Sequence, residues 1–456
     1  MTRIAAHIND AAITLLNGER IAYREPGFAL LDDRNLITGN EAFASARVHP
    51  RRVQHRFWTD LATTPLKVQR FDHLSTADLV SRQLEQMWQA GGGHATELVV
   101  AVPAYMDTRR LGLFLGIAGE LKLPVVAMVD AAVAATRREY RNAVPVHIDM
   151  SLHTTTLTRL MQPGRAQLER VEVLQDCGLY ALYDRWLNTL AEAFVQQSRF
   201  DPLHTAETEQ MLLNNLPRWL SQAAQQDRVQ LELRYGGIAH TAELESLALV
   251  GAAAPIYQPI ASKLRALYRA EETPAIQVTD RIARLPGLPE MLKARVGGEV
   301  FVLEPGATPR GALARVREIS GQGSSISLRR HLPWDQSSAE VERDGAARVR
   351  VGVPTHLLFG SKAYAVAAAP LVLGSQTGDG ERIIVLGTDM PGISRRHCSV
   401  RLQHGQCVLE DHSRYGTFLN GHRIDGSTVL QVGDSLRVGL PGFEFQMITT
   451  DEAYGT

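Results

Sequence analysis

Apolar and polar positions along residues 1–320 change period repeatedly. IAAHIND, AITLLNG, ERIAYREPGFALLD and LITG are short apolar or alternating runs closed by Gly, Asn and Asp, which predicts strands joined by tight turns. LSTADLVSRQLEQMWQAGGG opens on Ser75, Thr76 and Asp78 and closes on glycines, the start and stop signals of a helix. TELVVAVPAYM then reads as a buried strand, DTRRLGLFLGIAGELKL as a helix, PVVAMVD as a strand, AAVAATRREYR as a helix and VPVHIDMSLHTTTLTRLM as a strand pair. Strands and helices in alternation imply an α/β layer structure.

Residues 165–245 continue with alternating strands in QLERVEVL and RVQLELRY. Between them Leu182, Trp186, Leu190 and Phe194 recur every four residues as one packing stripe, and SRFDPLHTAETEQ reads as a surface connection. From 321 to 350 large apolar residues are few and Gly, Ser and charges many, so this stretch is expected to be a linker, with Leu328-Arg329-Arg330-His331 and Trp334 as an exposed tether or docking motif. Residues 351–456 start with THLLFGSKAYAVAAAPLVLG and go on through CSVRL, QCVLE, TFLNG and SLRVG. Gly, Asp, Asn and Ser clusters separate these runs, a pattern that predicts an all-β sandwich.

A length of 456 residues bounds the chain to two or three domains, because single cores rarely grow beyond about 250–300 residues. A formal net charge of −1 provides no polycationic field, so neither nucleic acid nor a membrane surface is an expected partner. Cys177, Cys398 and Cys407 lack CxxC spacing and fit reduced thiols, hence a cytoplasmic protein. No run approaches the ~20 apolar residues of a membrane span. His7, His147, His153 and His240 do not fall in metal-ligand spacing, and GxSxG, HExxH and Walker patterns do not occur, so neither a metal nor a catalytic residue is expected.

Three pieces of the last domain go further: Gly392-Ile393-Ser394-Arg395-Arg396-His397, the run from Asp411-His412-Ser413-Arg414-Tyr415-Gly416-Thr417 through Asn420-Gly421, and Leu430 to Gly439. In this order they resemble a forkhead-associated (FHA) domain, the β-sandwich that reads phosphothreonine. A phosphate dianion needs converging donors, and hydroxyls beside guanidinium groups supply charge-assisted hydrogen bonds. The resemblance implies a phosphopeptide site made by Ser394, Arg395, Arg396, Ser413, Arg414 and Tyr415, with Ser394 on the phosphate. It implies structural roles for Gly374, His397, Gly416, Thr417, Asn420 and Gly421, His397 buttressing the loop. Two positions depart from the family. Its strand-end Gly-Arg is matched by Gly374-Ser375, or in another register by Gly387-Thr388, and Tyr415 stands where an Asn often holds the ligand backbone. Arg382, Arg395 or Arg396 are the candidate replacements for the missing arginine; the alternative is a basic loop that docks a protein without phosphate.

AVPAYMDTRRLGLFLGIAGELKLPVVAMVDAAVAAT, VHIDMSLHTTTLTRL, LALVGAAAPIYQPIASKL and VFVLEPGATPRGALARV together resemble the actin and seventy-kilodalton heat-shock ATPase superfamily, whose two lobes close over ATP. The family's glycine-rich phosphate loops are matched by Asn9-Asp10-Ala11-Ala12 and by Asp149-Met150-Ser151-Leu152-His153-Thr154, with every glycine replaced. Each replacement puts a Cβ where a phosphate oxygen would approach the backbone. Thr156 falls on the family's catalytic carboxylate, and FWTDLATTP offers no lysine for the phosphate. The resemblance therefore implies a two-lobed, degenerate actin-like domain over 1–320 that does not hydrolyse ATP. Any residual contact with ATP and Mg²⁺ would fall on Asp10, Asp130, Asp149, Thr154 and Gly251, which read equally well as turn-formers and loop residues. The function expected is an adaptor that docks a protein partner, with a nucleotide-driven, chaperone-like switch as the rival.

Overall fold

The computed structural model describes residues 2–32, 35–269, 271–320, 326–341, 353–359, 362–376, 382–386, 392–419, 422–432, 434–439 and 442–448. The chain divides into two compact units, Met1–Arg343 and Asp344–Thr456.

The first unit is mixed α/β and is built on two six-stranded sheets. One runs in the order Leu328–Arg329, Val125–Asp130, Glu97–Val102, Arg3–His7, Ile13–Asn17, Arg20–Glu25. The other runs Glu299–Val302, Pro274–Val278, Val144–Met150, Thr154–Met161, Arg165–Gln175, His331–Pro333. Setting aside the short outer strands at 328–333, the two orders are the same. A first strand (Arg3–His7 or Val144–Met150) has two antiparallel hairpin strands on one side and two parallel strands on the other. The parallel strands are apolar runs, and Leu98, Val99, Val100, Ala101 and Val102 are all essentially inaccessible to solvent, as strands covered on both faces must be.

Helices cover the sheets. Helix Thr76–Gly91 starts at a complete capping box between Ser75 and Asp78 and buries Leu79, Val80, Leu84 and Met87. Helix Leu179–Ser198 turns the Leu182, Trp186, Leu190 and Phe194 stripe into the core. A Cβ at Gly178, just before this helix, would stand 2.4 Å from the Leu152 carbonyl oxygen, so only glycine lets the helix start directly on the second hairpin loop.

The stretch expected as a linker does not behave as one over 326–341. Leu328–Arg329 pairs in parallel with Met128–Val129 in one sheet, and His331–Pro333 pairs antiparallel with Arg165–Gln167 in the other, with only Arg330 between. Ala339–Glu340 pairs with Tyr140–Arg141. Leu332 and Trp334 join the apolar cluster of Ala312 and Val316, and Val341 packs on Tyr140 and Ala275. Buried Arg315 donates to the carbonyls of Gly311 (2.9 Å), Thr136 and Pro333 (both 3.1 Å). The few apolar residues of this segment are spaced to plug gaps, a property that average composition hides. The rest of the expected linker, 321–325 and 342–350, lies outside the described residues.

The second unit is a β-sandwich. Its six-stranded sheet runs Lys362–Ala365, His356–Phe359, Gly442–Ile448, Ser435–Gly439, Thr417–Leu419, His422–Arg423. Its five-stranded sheet runs Arg382–Val385, Leu371–Gly374, Cys398–Gln403, Gln406–Asp411, Ser427–Leu430. Alternate residues of both sheets meet between them: Leu371, Leu373, Cys398, Val400, Cys407 and Leu409 from one face, Leu357, Leu436, Val438, Phe445 and Met447 from the other. Burial pushes the Cys407 thiol up to about 11 and the Cys398 thiol higher still, so both serve as small apolar side chains.

Candidate functional site

The sandwich gathers its polar loops at the end of strand Leu371–Gly374. A Cβ on Gly374 would lie 1.9 Å from the Arg395 carbonyl oxygen, so glycine is what allows loop 392–397 to cross the strand end. The Ser375 N–H donates to the Ser394 carbonyl (3.1 Å) and the His397 N–H to the Leu373 carbonyl (2.8 Å), which locks the loop onto the strand.

His397 joins this loop to the next one. Its Nδ1 accepts from the Ser394 N–H (3.0 Å), and its Nε2 faces the Gly416 carbonyl at 3.2 Å, an arrangement that assigns the proton to Nε2. The ring is fully buried, and burial lowers its pKa against the opposing pull of the Gly416 carbonyl and Asp411, so it is neutral at pH 7. Ser394 Oγ accepts from the Arg414 N–H (3.2 Å), which leaves its own hydroxyl proton to donate outward.

The second loop is held by Asp411. Its Oδ1 accepts from the Ser413 N–H (3.1 Å) and from the Thr417 hydroxyl (2.6 Å), while Ser413 Oγ accepts from the Gly416 N–H (2.8 Å). Gly416 has φ 92°, and a Cβ there would also meet the Arg423 guanidinium at 2.9 Å.

The two loops thus bring Ser394, Arg395, Arg396, Ser413, Arg414 and Tyr415 to one end of the sandwich. Ser394 and Ser413 are half-buried; Arg395, Arg396 and Arg414 are exposed, and Tyr415 is 55% exposed. Gly374, His397, Gly416 and Thr417 are buried beneath them. Asn420, Gly421 and the alternative Gly387-Thr388 register lie outside the described residues. Arg382 is not part of the cluster. It pairs with Leu371 at the far end of the strand, ~10 Å from Gly374 at ~3.3 Å per residue, and donates to the carbonyls of Ala365 (2.5 Å) and Ala369 (3.3 Å). Asp411, which holds the second loop, has no role in the sequence reading; an Asp two residues before a Ser is the available signal, since Asp side chains accept from the backbone two residues on.

The end loops of the sandwich thus collect hydroxyl and guanidinium side chains over a rigid frame. Residues 372–439 match the family model of the FHA domain, so this unit contains an FHA domain, a phosphopeptide-binding protein-interaction module. A comparison with curated proteins finds no match to the chain.

In the first unit, the two hairpin loops of the duplicated sheet order face each other. Asn9 Nδ2 donates to Asp149 Oδ1 (2.8 Å) and to the Met150 carbonyl (3.3 Å), and the Leu152 N–H donates to Asp10 Oδ1 (2.7 Å). The loop amides are engaged locally: Ala11 N–H with Asn9 Oδ1, Ala12 N–H with the Asn9 carbonyl, Ser151 N–H with the Thr154 carbonyl, and Thr154 N–H with Ser151 Oγ. Leu152 and His153 are 1% and 3% exposed, and Leu152 belongs to the apolar core of this unit. The His153 ring stacks on His55, 4.9 Å between centroids, which in turn stacks on Tyr180 at 4.2 Å.

Burial raises the Asp10 carboxyl to about 6, against the Leu152 and Thr59 hydrogen bonds. Burial also raises Asp130 to about 6, although its Oδ1 caps helix Ala131–Ala135 by accepting from Ala132 and Val133. For Asp149 burial acts upward too, but His7 at 3.4 Å, His147 and Arg281 outweigh it and hold the carboxyl below the usual range. Asp10, Asp149 and Thr154 therefore meet at the hairpins, and Thr156 lies opposite Asp149 across the strand pair. Gly251 does not join them: it is an exposed residue inside helix Ser246–Arg265, neither a nucleotide-loop nor a turn glycine. Arg110 opens helix Thr108–Glu120 and ion-pairs with Asp107. A cavity of about 30 Å³ is lined by His7, Thr14, Arg24, Asp280, Arg281 and Thr308. Among the described residues no group of three or more His, Cys, Asp or Glu is placed to hold a metal ion, and no helix is long and apolar enough to cross a membrane.

Proposed function

We propose that the protein is a non-catalytic adaptor that docks a phosphothreonine-containing protein through its FHA domain. The observation that carries this reading is the Ser394 hydroxyl. Its oxygen accepts from the Arg414 N–H, which orients the group, and its proton can be given to an acceptor such as a phosphate oxygen. Arg395 follows Ser394 in one loop and Arg414 meets it through its N–H from the other; on this reading they supply the charge that the family's strand-end arginine would give, where this chain has Ser375.

The first unit, on this proposal, is a degenerate actin-like or heat-shock-ATPase-like lobe pair that serves as a scaffold. The repeated sheet order supports that ancestry. The mutual pairing of the hairpins through Asn9, Asp10, Asp149 and the Leu152 amide supports a cradle closed to triphosphate. A nucleotide-driven switch would require those amides to be released. The free thiols at Cys177, Cys398 and Cys407 accord with a cytoplasmic location.

The test is binding of a degenerate phosphothreonine peptide library to the full chain, followed by fluorescence anisotropy. Ser394→Ala removes one charge-assisted hydrogen bond, an expected loss of about 1.5–3 kcal/mol. A variant that binds the phosphorylated library as tightly as the native chain would overturn the assignment of Ser394.

A further inference from the structure

We propose that Asp411 is a positioning residue for phosphopeptide recognition, one that touches no ligand atom but sets the Arg414 amide and the Ser394 hydroxyl in place. The inference rests on the reading of the sandwich as a phosphothreonine module and adds to it the group on which the geometry depends.

Asp411 ends strand Gln406–Asp411 and directs a single oxygen, Oδ1, at both ends of the loop that follows: the Ser413 N–H at 3.1 Å where the loop begins and the Thr417 hydroxyl at 2.6 Å where it ends. Between these anchors Ser413 Oγ takes the Gly416 N–H at 2.8 Å, which folds residues 413–416 into a tight turn. Arg414 lies inside that turn, and its N–H reaches Ser394 Oγ at 3.2 Å. His397 ties the same loop from the other side through the Gly416 carbonyl. Rotation of the Ser394 hydroxyl toward a ligand thus depends on the Arg414 amide, in a turn that the carboxylate of Asp411, three residues upstream, holds through its neighbour Ser413. Without Oδ1 the turn loses both bonds to the carboxylate, so the Arg414 amide and side chain can shift together although Thr417 stays paired with Val438. A displacement of 1 Å is enough to spoil a charge-assisted hydrogen bond.

The experiment compares Asp411→Ala, Asp411→Asn and Thr417→Val in the full chain, each titrated with the phosphothreonine library and with its unphosphorylated counterpart. Asp411→Asn retains an Oδ1 acceptor and is expected to bind the phosphorylated library within about threefold of the native chain. Asp411→Ala is expected to weaken phosphorylated binding by about tenfold, as for one or two lost hydrogen bonds, while plain-peptide binding stays unchanged. Thr417→Val keeps the side-chain shape and removes one anchor, so an intermediate loss is expected even if the alanine variant fails to fold. A native chain with no phosphate preference would defeat the underlying reading. A native preference that Asp411→Ala leaves intact, or that Asp411→Asn loses as completely as alanine, would defeat the positioning role itself.

Discussion

Replacing Ser375 by arginine should strengthen phosphopeptide binding. Ser375 follows the glycine that passes beneath Arg395, and its N–H is bonded to the Ser394 carbonyl at 3.1 Å, so its side chain starts beside the group assigned to the phosphate. A guanidinium there can add one charge-assisted hydrogen bond, worth about 1.5–3 kcal/mol. Against this stand the exposed Arg395 and Arg414. At ~7 Å in water each repels a new cation by about 0.6 kcal/mol, less when salt screens it. The net is about 0.3–1.8 kcal/mol, or roughly two- to twentyfold in affinity. Anisotropy titrations of Ser375→Arg with the phosphothreonine library, at low and at moderate salt, read this directly. The gain should be confined to phosphorylated peptides. Equal tightening toward the plain library would mean a non-specific basic surface, and no gain at all would mean that the phosphate does not sit at Ser394.

Two further outcomes concern the first unit. Asp130 is buried with its carboxyl raised to about 6 from an ordinary 3.8. A raised carboxylate favours folding while protonated and loses that contribution as pH rises through the folded value, so above pH 6 its charge costs up to about 3 kcal/mol. Asp130→Asn keeps a cap acceptor for Ala132 and Val133; thermal melts should show it clearly stabilising at pH 8 and much less so at pH 4.5, inside the window between the two values, and the reverse order would contradict the burial argument. ATP with Mg²⁺ should leave the melting curve flat, because a ligand at a hundred times its Kd adds about 2.7 kcal/mol; a rise in Tm with nucleotide would reinstate the switch.

Much of this molecule can be read from its residues where the signal is local. The Ser75–Asp78 cap, the four-residue stripe from Leu182 to Phe194 and the apolar run Leu98–Val102 each contain their own structural reason within a few positions. So do the two sandwich loops, whose glycines and hydroxyls bond within the motif. Long-range relations were less visible. Residues 326–341 carry too few apolar side chains to register as strands, yet Leu328 and His331 pair with Met128 and Gln167, strands far earlier in the chain. Gly251 suggested a loop because glycine disfavours helix interiors by about 1 kcal/mol, a cost that the packing of Leu249, Ala253, Ile256 and Tyr257 along helix Ser246–Arg265 overrides. Arg382 sat close to the site in sequence, and only the register of its strand with Leu371 shows that it points to the opposite end.

The most direct test of the docking claim is a paired titration of the unmodified full chain with a phosphothreonine peptide library and with the same library after phosphatase treatment. The account predicts at least tenfold tighter binding of the phosphorylated peptides, equivalent to about 1.4 kcal/mol, with the preference shrinking as salt is raised. Indistinguishable affinities for the two libraries would contradict it.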